Sequence, residues 1–253
     1  MIRLAAVFLL LASPALAEKK AKKAEPAAKP AVSTAAAGTD LTTFATSTAP
    51  LTVASISARF AEVDAKMKSL KTDFRQFVRL EGSDTVQSVE GSVSFAKPDL
   101  LRLTHKIPEP QTVVSDGTYL WVYRNSTNQV IQTRLDSWRK SEPLAQGLLD
   151  FGQSADLVAR YDTKIATVSA PGADGHRTFE LTLVPKAKGG EEFLLTLKSS
   201  TKDYFPREAT LKVGRASIRS LFENVRLNPE LPPETFKFTP PADADLFKSP
   251  EPN

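Results

Sequence analysis

The sequence contains no cysteine and only two histidines, two tryptophans and two methionines. Each shortage removes a class of function. Without cysteine there is no disulfide framework, no reactive thiol, no iron–sulfur cluster and no cysteine zinc site. His105 and His176 stand far apart in the chain, so a histidine-based hydrolase or a multi-histidine metal site has almost no material. H-E-x-x-H, G-x-S-x-G and glycine-rich phosphate loops are also missing. Asp243 and Asp245 alternate in "PADADL" like calcium ligands, but nothing resembling the rest of an EF-hand loop follows, and they read as solvated tail residues. Asp116 in "SDGTY" has the type and place of a turn residue, with Gly117 free to take a positive φ. Catalysis is the weaker class of function.

A basic field is missing too. The formal net charge is +4, but residues 18–50 hold five lysines against Glu18, Glu25 and Asp40, and Arg3 lies further upstream. What remains is close to neutral and has no patch to steer a polyanion, so no nucleic acid is expected as partner.

What is present begins with "MIRLAAVFLLLASPALA", residues 1–17. A single basic residue, an apolar run too short for a membrane span and the small-x-small end Ala15-Leu16-Ala17 predict a cleaved signal peptide and an exported, soluble product. Residues 18–50, "EKKAKKAEPAAKPAVSTAAAGTDLTTFATSTAP", are rich in lysine, alanine and proline, with Leu41 and Phe44 the large apolar residues. That composition buries too little to offset its ordering entropy, which predicts a disordered tether.

Order is expected over residues 51–248. In "LTVASISARFAEVDAKMKSLKTDF" the residues Val53, Ile56, Phe60, Val63, Met67 and Leu70 recur every three or four positions. This is one apolar face of a helix running from Thr52 to near Leu70. Alternating segments follow, among them "TVQSVEGSVSFAK", "LLRLTHKI" and "VVSDGTYLWVYRNSTNQVIQTRL". Residues 136–159 break the alternation and look helical around Leu144 to Phe151 and around Ala155 to Val158. About eleven strands joined mostly by short turns predict a large antiparallel sheet curled into a barrel or half-barrel. In "TYLWVYR" both alternating sets, Tyr119/Trp121/Tyr123 and Leu120/Val122, are apolar, so both faces of that strand are expected to be covered.

The order of several short segments resembles the LolA family of lipoprotein carriers. "SLKTDFRQFV" holds Phe74 and Gln76 in an F-x-Q pattern, and "GSVSFAKPDLLRL" is similar to the family's strand, basic-Pro turn and strand. "VVSDGTYLWVY", "PLAQGLLD", "LTLVPK" and the closing "FKFTPP" follow in the family's order. The resemblance implies a mainly β fold, an incompletely closed antiparallel barrel with helices forming a lid over an apolar cavity. It implies a periplasmic carrier, not an enzyme and without cofactor or metal. Such a carrier takes acylated lipoproteins from an inner-membrane ABC transporter to an outer-membrane acceptor, and a monomer is expected. Candidate wall residues are Phe74, Phe95, Leu101, Leu103, Val113 and Trp121, and the lid helix would dock through Val53, Ile56, Phe60, Val63 and Met67. The family has an arginine latch before the turn proline. Lys97 stands there in this chain, with Arg102 nearby as a substitute.

Physical chemistry supports such a job independently. An exposed acyl chain costs about 0.8 kcal/mol per CH₂, on the order of 10 kcal/mol for a chain of ordinary length. A carrier offsets this with apolar surface and needs little polar geometry. Carriage or sensing of another lipid or glycolipid, or a ligand-free envelope scaffold, are the alternatives left open by the residues.

Overall fold

The computed structural model describes residues 44–47, 49–141, 151–186 and 192–249. One helix, α1 (Val53–Lys66), precedes β1 (Ser69–Leu80), β2 (Val86–Ala96), β3 (Leu100–Ile107), β4 (Gln111–Asp116), β5 (Tyr119–Arg124) and β6 (Gln129–Arg134). Two short helices follow, α2 (Leu135–Ser141) and α3 (Ser154–Arg160). The chain then returns to strands β7 (Asp162–Val168), β8 (Thr178–Val184), β9 (Phe193–Ser200), β10 (Pro206–Val213), β11 (Ala216–Leu227) and β12 (Asp245–Lys248).

All twelve strands join one sheet in the order β12-β6-β5-β4-β3-β2-β1-β11-β10-β9-β8-β7. Neighbours are antiparallel except β12, which lies parallel to β6. The closing strand is formed by Asp245–Lys248, just beyond "FKFTPP". Asp245 is therefore not a free tail residue: it pairs with Gln129. The "TPP" region is preceded by a 3₁₀ turn, Pro233–Phe236. Register shifts interrupt four ladders, at Lys71/Asp73, Glu90/Gly91, Pro206/Glu208 and Ile165/Thr167. Such irregularities increase local twist and bend a sheet, in keeping with its open, curved form.

Helix α1 starts at a capping box in which Thr52 and Ser55 satisfy each other's backbone amides. It ends at Lys66, earlier than the periodicity predicts. Asn228, with φ of 54°, is the physical reason. Its Oδ1 accepts from Lys68 N at 2.6 Å and Ser69 N at 3.1 Å, and its Nδ2 donates to Lys66 O at 2.9 Å. These bonds take the amides that would have continued the helix. Met67 is its C-cap rather than a helical residue, and Leu70 enters β1 opposite Leu227 and Phe95.

Two apolar clusters fill the interior. Ile56, Phe60 and Val63 of α1 pack with Val158 of α3, with Phe179, Leu181 and Leu183 of β8, and with Leu197 and Tyr204. Val53 is only partly buried against the same group. The second cluster lies on β1 to β5 and includes Met67, Leu70, Phe74 and Phe95, closed by Leu135 and Trp138 of α2. The expected helical turn at Leu144 lies outside the described residues, and the one near Ala155 is α3.

Residues upstream of Leu51, within the expected tether, also make contacts with the folded chain. Phe44 N donates to Lys202 O at 3.0 Å, and its ring lies 5.1 Å from Tyr204, beneath the Arg59 guanidinium at 5.0 Å. Arg177 Nη2 donates to the carbonyls of Ser47 and Ala49. An aromatic pair and a cation–π contact together contribute about 2 kcal/mol. A chain beginning at Phe44 should therefore melt like one carrying the whole tether. One beginning at Leu51 should melt about 5 °C lower. Equal melting of the two truncated chains in circular dichroism would show that these contacts contribute nothing.

Candidate functional site

The inward-facing residues of β1 to β5 come together by register. Phe95 of β2 pairs with Leu101 of β3, which pairs with Ser115 and then Leu120. One pleat along, Val93, Leu103, Val113 and Val122 form a second row. Phe74 sits opposite Gly91, where a Cβ would come within 2.7 Å of its ring. Of the six sequence candidates, Phe74, Phe95, Leu101, Leu103 and Val113 all lie in this one buried cluster.

Trp121 does not. Side chains alternate along a strand, so Leu120 and Val122 face the cluster while Trp121 faces the other side of the sheet. There it lies 6.1 Å from Tyr119 and 5.8 Å from Phe238, and Tyr123 lies 6.0 Å from Phe238. Its Nε1 donates to Asp116 Oδ2 at 3.1 Å. The aromatic side of β5 is covered by the chain's own C-terminal segment.

A cavity of ≈ 670 Å³ opens beside the buried cluster, lined by Phe95, Lys97, Pro98, Asp99, Arg139, Phe151 and Gln153. Its floor is apolar, with the Phe95 and Phe151 rings 5.6 Å apart, and its rim carries the Asp99–Arg139 ion pair. Of the sequence candidates only Phe95 and Lys97 line it. Phe74, Leu101, Leu103 and Val113 lie within the buried cluster instead.

Lys97 ties this mouth to the helical layer. Its Nζ donates to the carbonyl of Asp64 in the last turn of α1 at 2.5 Å, and its backbone amide donates to Lys68 O at 2.9 Å. The Asp64 carboxylate in turn accepts from Ala155 N at 2.8 Å and so holds the start of α3. Burial pushes the Asp64 carboxyl above its usual range, an effect opposed by the amides of Ala155 and Ser154 and by the Lys97 charge. Gly152 closes the joint: at its φ of +77° a Cβ would lie 2.4 Å from Met67 Cε and 3.1 Å from Lys97 Cε. Through one residue, α1, α3 and the β2–β3 turn are fastened together.

The sequence reading passed over Asp64. A signal was present, since a carboxylate in the last turn of a helix faces the negative end of the dipole and needs another reason to be there. Arg102 is not part of this joint. It alternates with Leu101 and Leu103 onto the other side of the sheet, where its Nη1 donates to the carbonyls of Thr235 and Lys237 at 3.3 and 3.4 Å. It pins the C-terminal segment instead.

Among the described residues, no group of three or more His, Asp or Glu side chains is placed to hold a metal ion, and no helix is long and apolar enough to cross a membrane. The fold is a mainly β, open curved sheet whose apolar inner face is roofed by short helices. Residues 65–239 match the family model of the outer membrane lipoprotein carrier protein LolA, and the chain belongs to that family. An outer-membrane lipoprotein carrier protein from Albidiferax ferrireducens is 28% identical over 186 residues, 70% of this chain and 84% of the relative. One of the same description from Dechloromonas aromatica is 31% identical over 180 residues, 71% of this chain and 81% of the relative. Among solved structures, a LolA superfamily protein from Nitrosomonas europaea aligns at 14% identity with a TM-score of 0.41, covering 75% of this chain and 99% of that one.

Proposed function

We propose that this protein is a periplasmic carrier that shelters the acyl chains of lipoproteins against the inner face of its sheet. It would receive them from an inner-membrane ABC transporter and pass them to an outer-membrane acceptor. The observation that carries this reading is the placement of Phe74, Phe95, Leu101, Leu103 and Val113 in one apolar cluster beside an open cavity. Family membership supports it. The chemistry asked of the protein is desolvation, and apolar area supplies that without a catalytic group.

In this structure the inner cluster is packed shut, so loading requires the helical layer to lift. The free energy of closure then competes with the ligand. Lys97 holds the layer through a single hydrogen bond to Asp64 O. Loss of such a bond is worth about 1 kcal/mol, so Lys97→Leu is expected to raise lipopeptide affinity about fivefold. Lys97→Arg, which brings a fork of donors, is expected to lower it. Leu101→Glu should weaken binding by at least about tenfold, because a carboxylate would be desolvated where a chain must lie.

Lipopeptide titrations of these variants, each checked for its melting temperature, test the reading against the exposed-surface control Lys198→Leu. If a folded Leu101→Glu protein and both Lys97 variants bind like the control, the ligand does not enter here. Mass spectrometry of lipid co-purified with the wild-type protein tests the ligand class directly. An empty protein, or a non-acyl ligand, would overturn the proposal.

A further inference from the structure

Two polar side chains stand out within the apolar interior of β1 and β3. Gln76 is 2% exposed and His105 is 1% exposed. Gln76 Nε2 donates to Ser220 Oγ at 3.2 Å, but among the described residues neither Gln76 Oε1 nor His105 Nε2 has a hydrogen-bond partner. Both belong to the neighbourhood of Phe74. Gln76 is two residues further along β1 on the same face, and the His105 ring lies edge-on to Phe74 at 5.8 Å. Phe74 can lean toward β3 because Gly91, which lies between Phe74 and His105 in the ladder, has no side chain.

Each buried polar atom left unsatisfied is costly, and replacement by an apolar group of similar shape removes that cost. A shell made only to shelter hydrocarbon would have leucine and phenylalanine at these positions. We propose that Gln76 and His105 form a polar anchor inside the shell that hydrogen-bonds the neutral linkage group of an acyl ligand, an amide by preference. This rests on the carrier reading above.

The donors and acceptors define the preference. Gln76 Oε1 only accepts, and a neutral imidazole nitrogen can donate. A secondary amide offers N–H and C=O and satisfies both. An ester satisfies the imidazole alone, and a plain alkane satisfies neither. Burial also lowers the His105 pKa to about 4, so the ring is uncharged near neutral pH and is suited to a carbonyl rather than to a phosphate.

The test uses the full exported chain and three probes of matched length: N-dodecylacetamide, dodecyl acetate and an unsubstituted alkane, each competing with a fluorescent fatty acid. The wild-type protein should bind the amide about tenfold more tightly than the alkane, with the ester between them. Gln76→Leu should erase the margin of amide over ester. His105→Phe should erase the margin of ester over alkane. Both variants should melt at or above the wild-type temperature. Equal affinity for all three probes in the wild-type protein overturns the anchor while leaving the carrier reading intact, whether or not the variants fold. An order that persists unchanged in both variants also overturns it, as does a lowered melting temperature with the order retained. The last result would mean that an internal water satisfies the two groups. Failure of all three probes to displace the fatty acid would overturn the carrier reading itself.

Discussion

Phe60→Asp is expected to lower the thermal midpoint by about 10–20 °C and to undock α1 from the sheet. Phe60 is 1% exposed, and its ring lies 6.3 Å from both Phe179 and Tyr204. Loss of a buried aromatic ring alone costs about 3–5 kcal/mol, and an unpaired carboxylate in the same place adds to that. Set against a total stability of about 5–15 kcal/mol, this is among the largest changes one substitution can make here. Arg59 and Glu62 form an exposed ion pair on the same helix, and Glu62→Ala should shift the midpoint by no more than about 2 °C. Circular dichroism melts of the two variants decide the matter. A Phe60→Asp protein with the wild-type midpoint would show that α1 does not dock by this face.

Acidification should produce the second large effect. An ordinary histidine titrates at 6.5, whereas burial holds His105 down to about 4 in the folded protein. Between those two values the unfolded chain binds a proton that the folded chain refuses. Stability contributed by the neutral ring is thus complete above pH 6.5 and declines as the pH falls toward 4. The full loss is about 3 kcal/mol. Asp64 works in the opposite direction at the lower end of this window. Its folded carboxyl is raised by burial, so it gains rather than loses relative stability as the medium becomes acid. Chemical denaturation of the wild-type and His105→Phe proteins at a series of pH values separates the two. The His105→Phe protein should lose markedly less stability than the wild type over the upper part of the window. Parallel curves would show that the ring is protonated while buried, or that it is solvated in the folded state.

Strand and helix identity were legible in the sequence because they depend on short-range periodicity. Alternation along "LLRLTHKI" and "VVSDGTYLWVY" marked strands that the structure contains, and Val53 to Val63 marked the helix. The resemblance carried by "DFRQFV", "FAKPDLLRL" and "SDGTYLWVY" brought the family into view, and with it Lys97 as a point of attachment.

Facing and partnership belonged to the tertiary structure. Alternation says that Leu120 and Trp121 part company but not which goes inward, and with both sets apolar the choice waited on Phe238 covering the outer side. Likewise the apolar period ran through Met67 to Leu70, yet the helix stops at Lys66 because the side-chain oxygen of Asn228, far along the chain, accepts the amides of Lys68 and Ser69. Lys97 stood at the latch position with Arg102 as a nearby substitute on one short stretch of sequence. Strand parity sent Arg102 to the C-terminal carbonyls and the β2–β3 turn brought Lys97 to Asp64. Local pattern is written in neighbouring residues, whereas the partner of each exposed face is set by long-range closure of the sheet, which no short window of sequence contains.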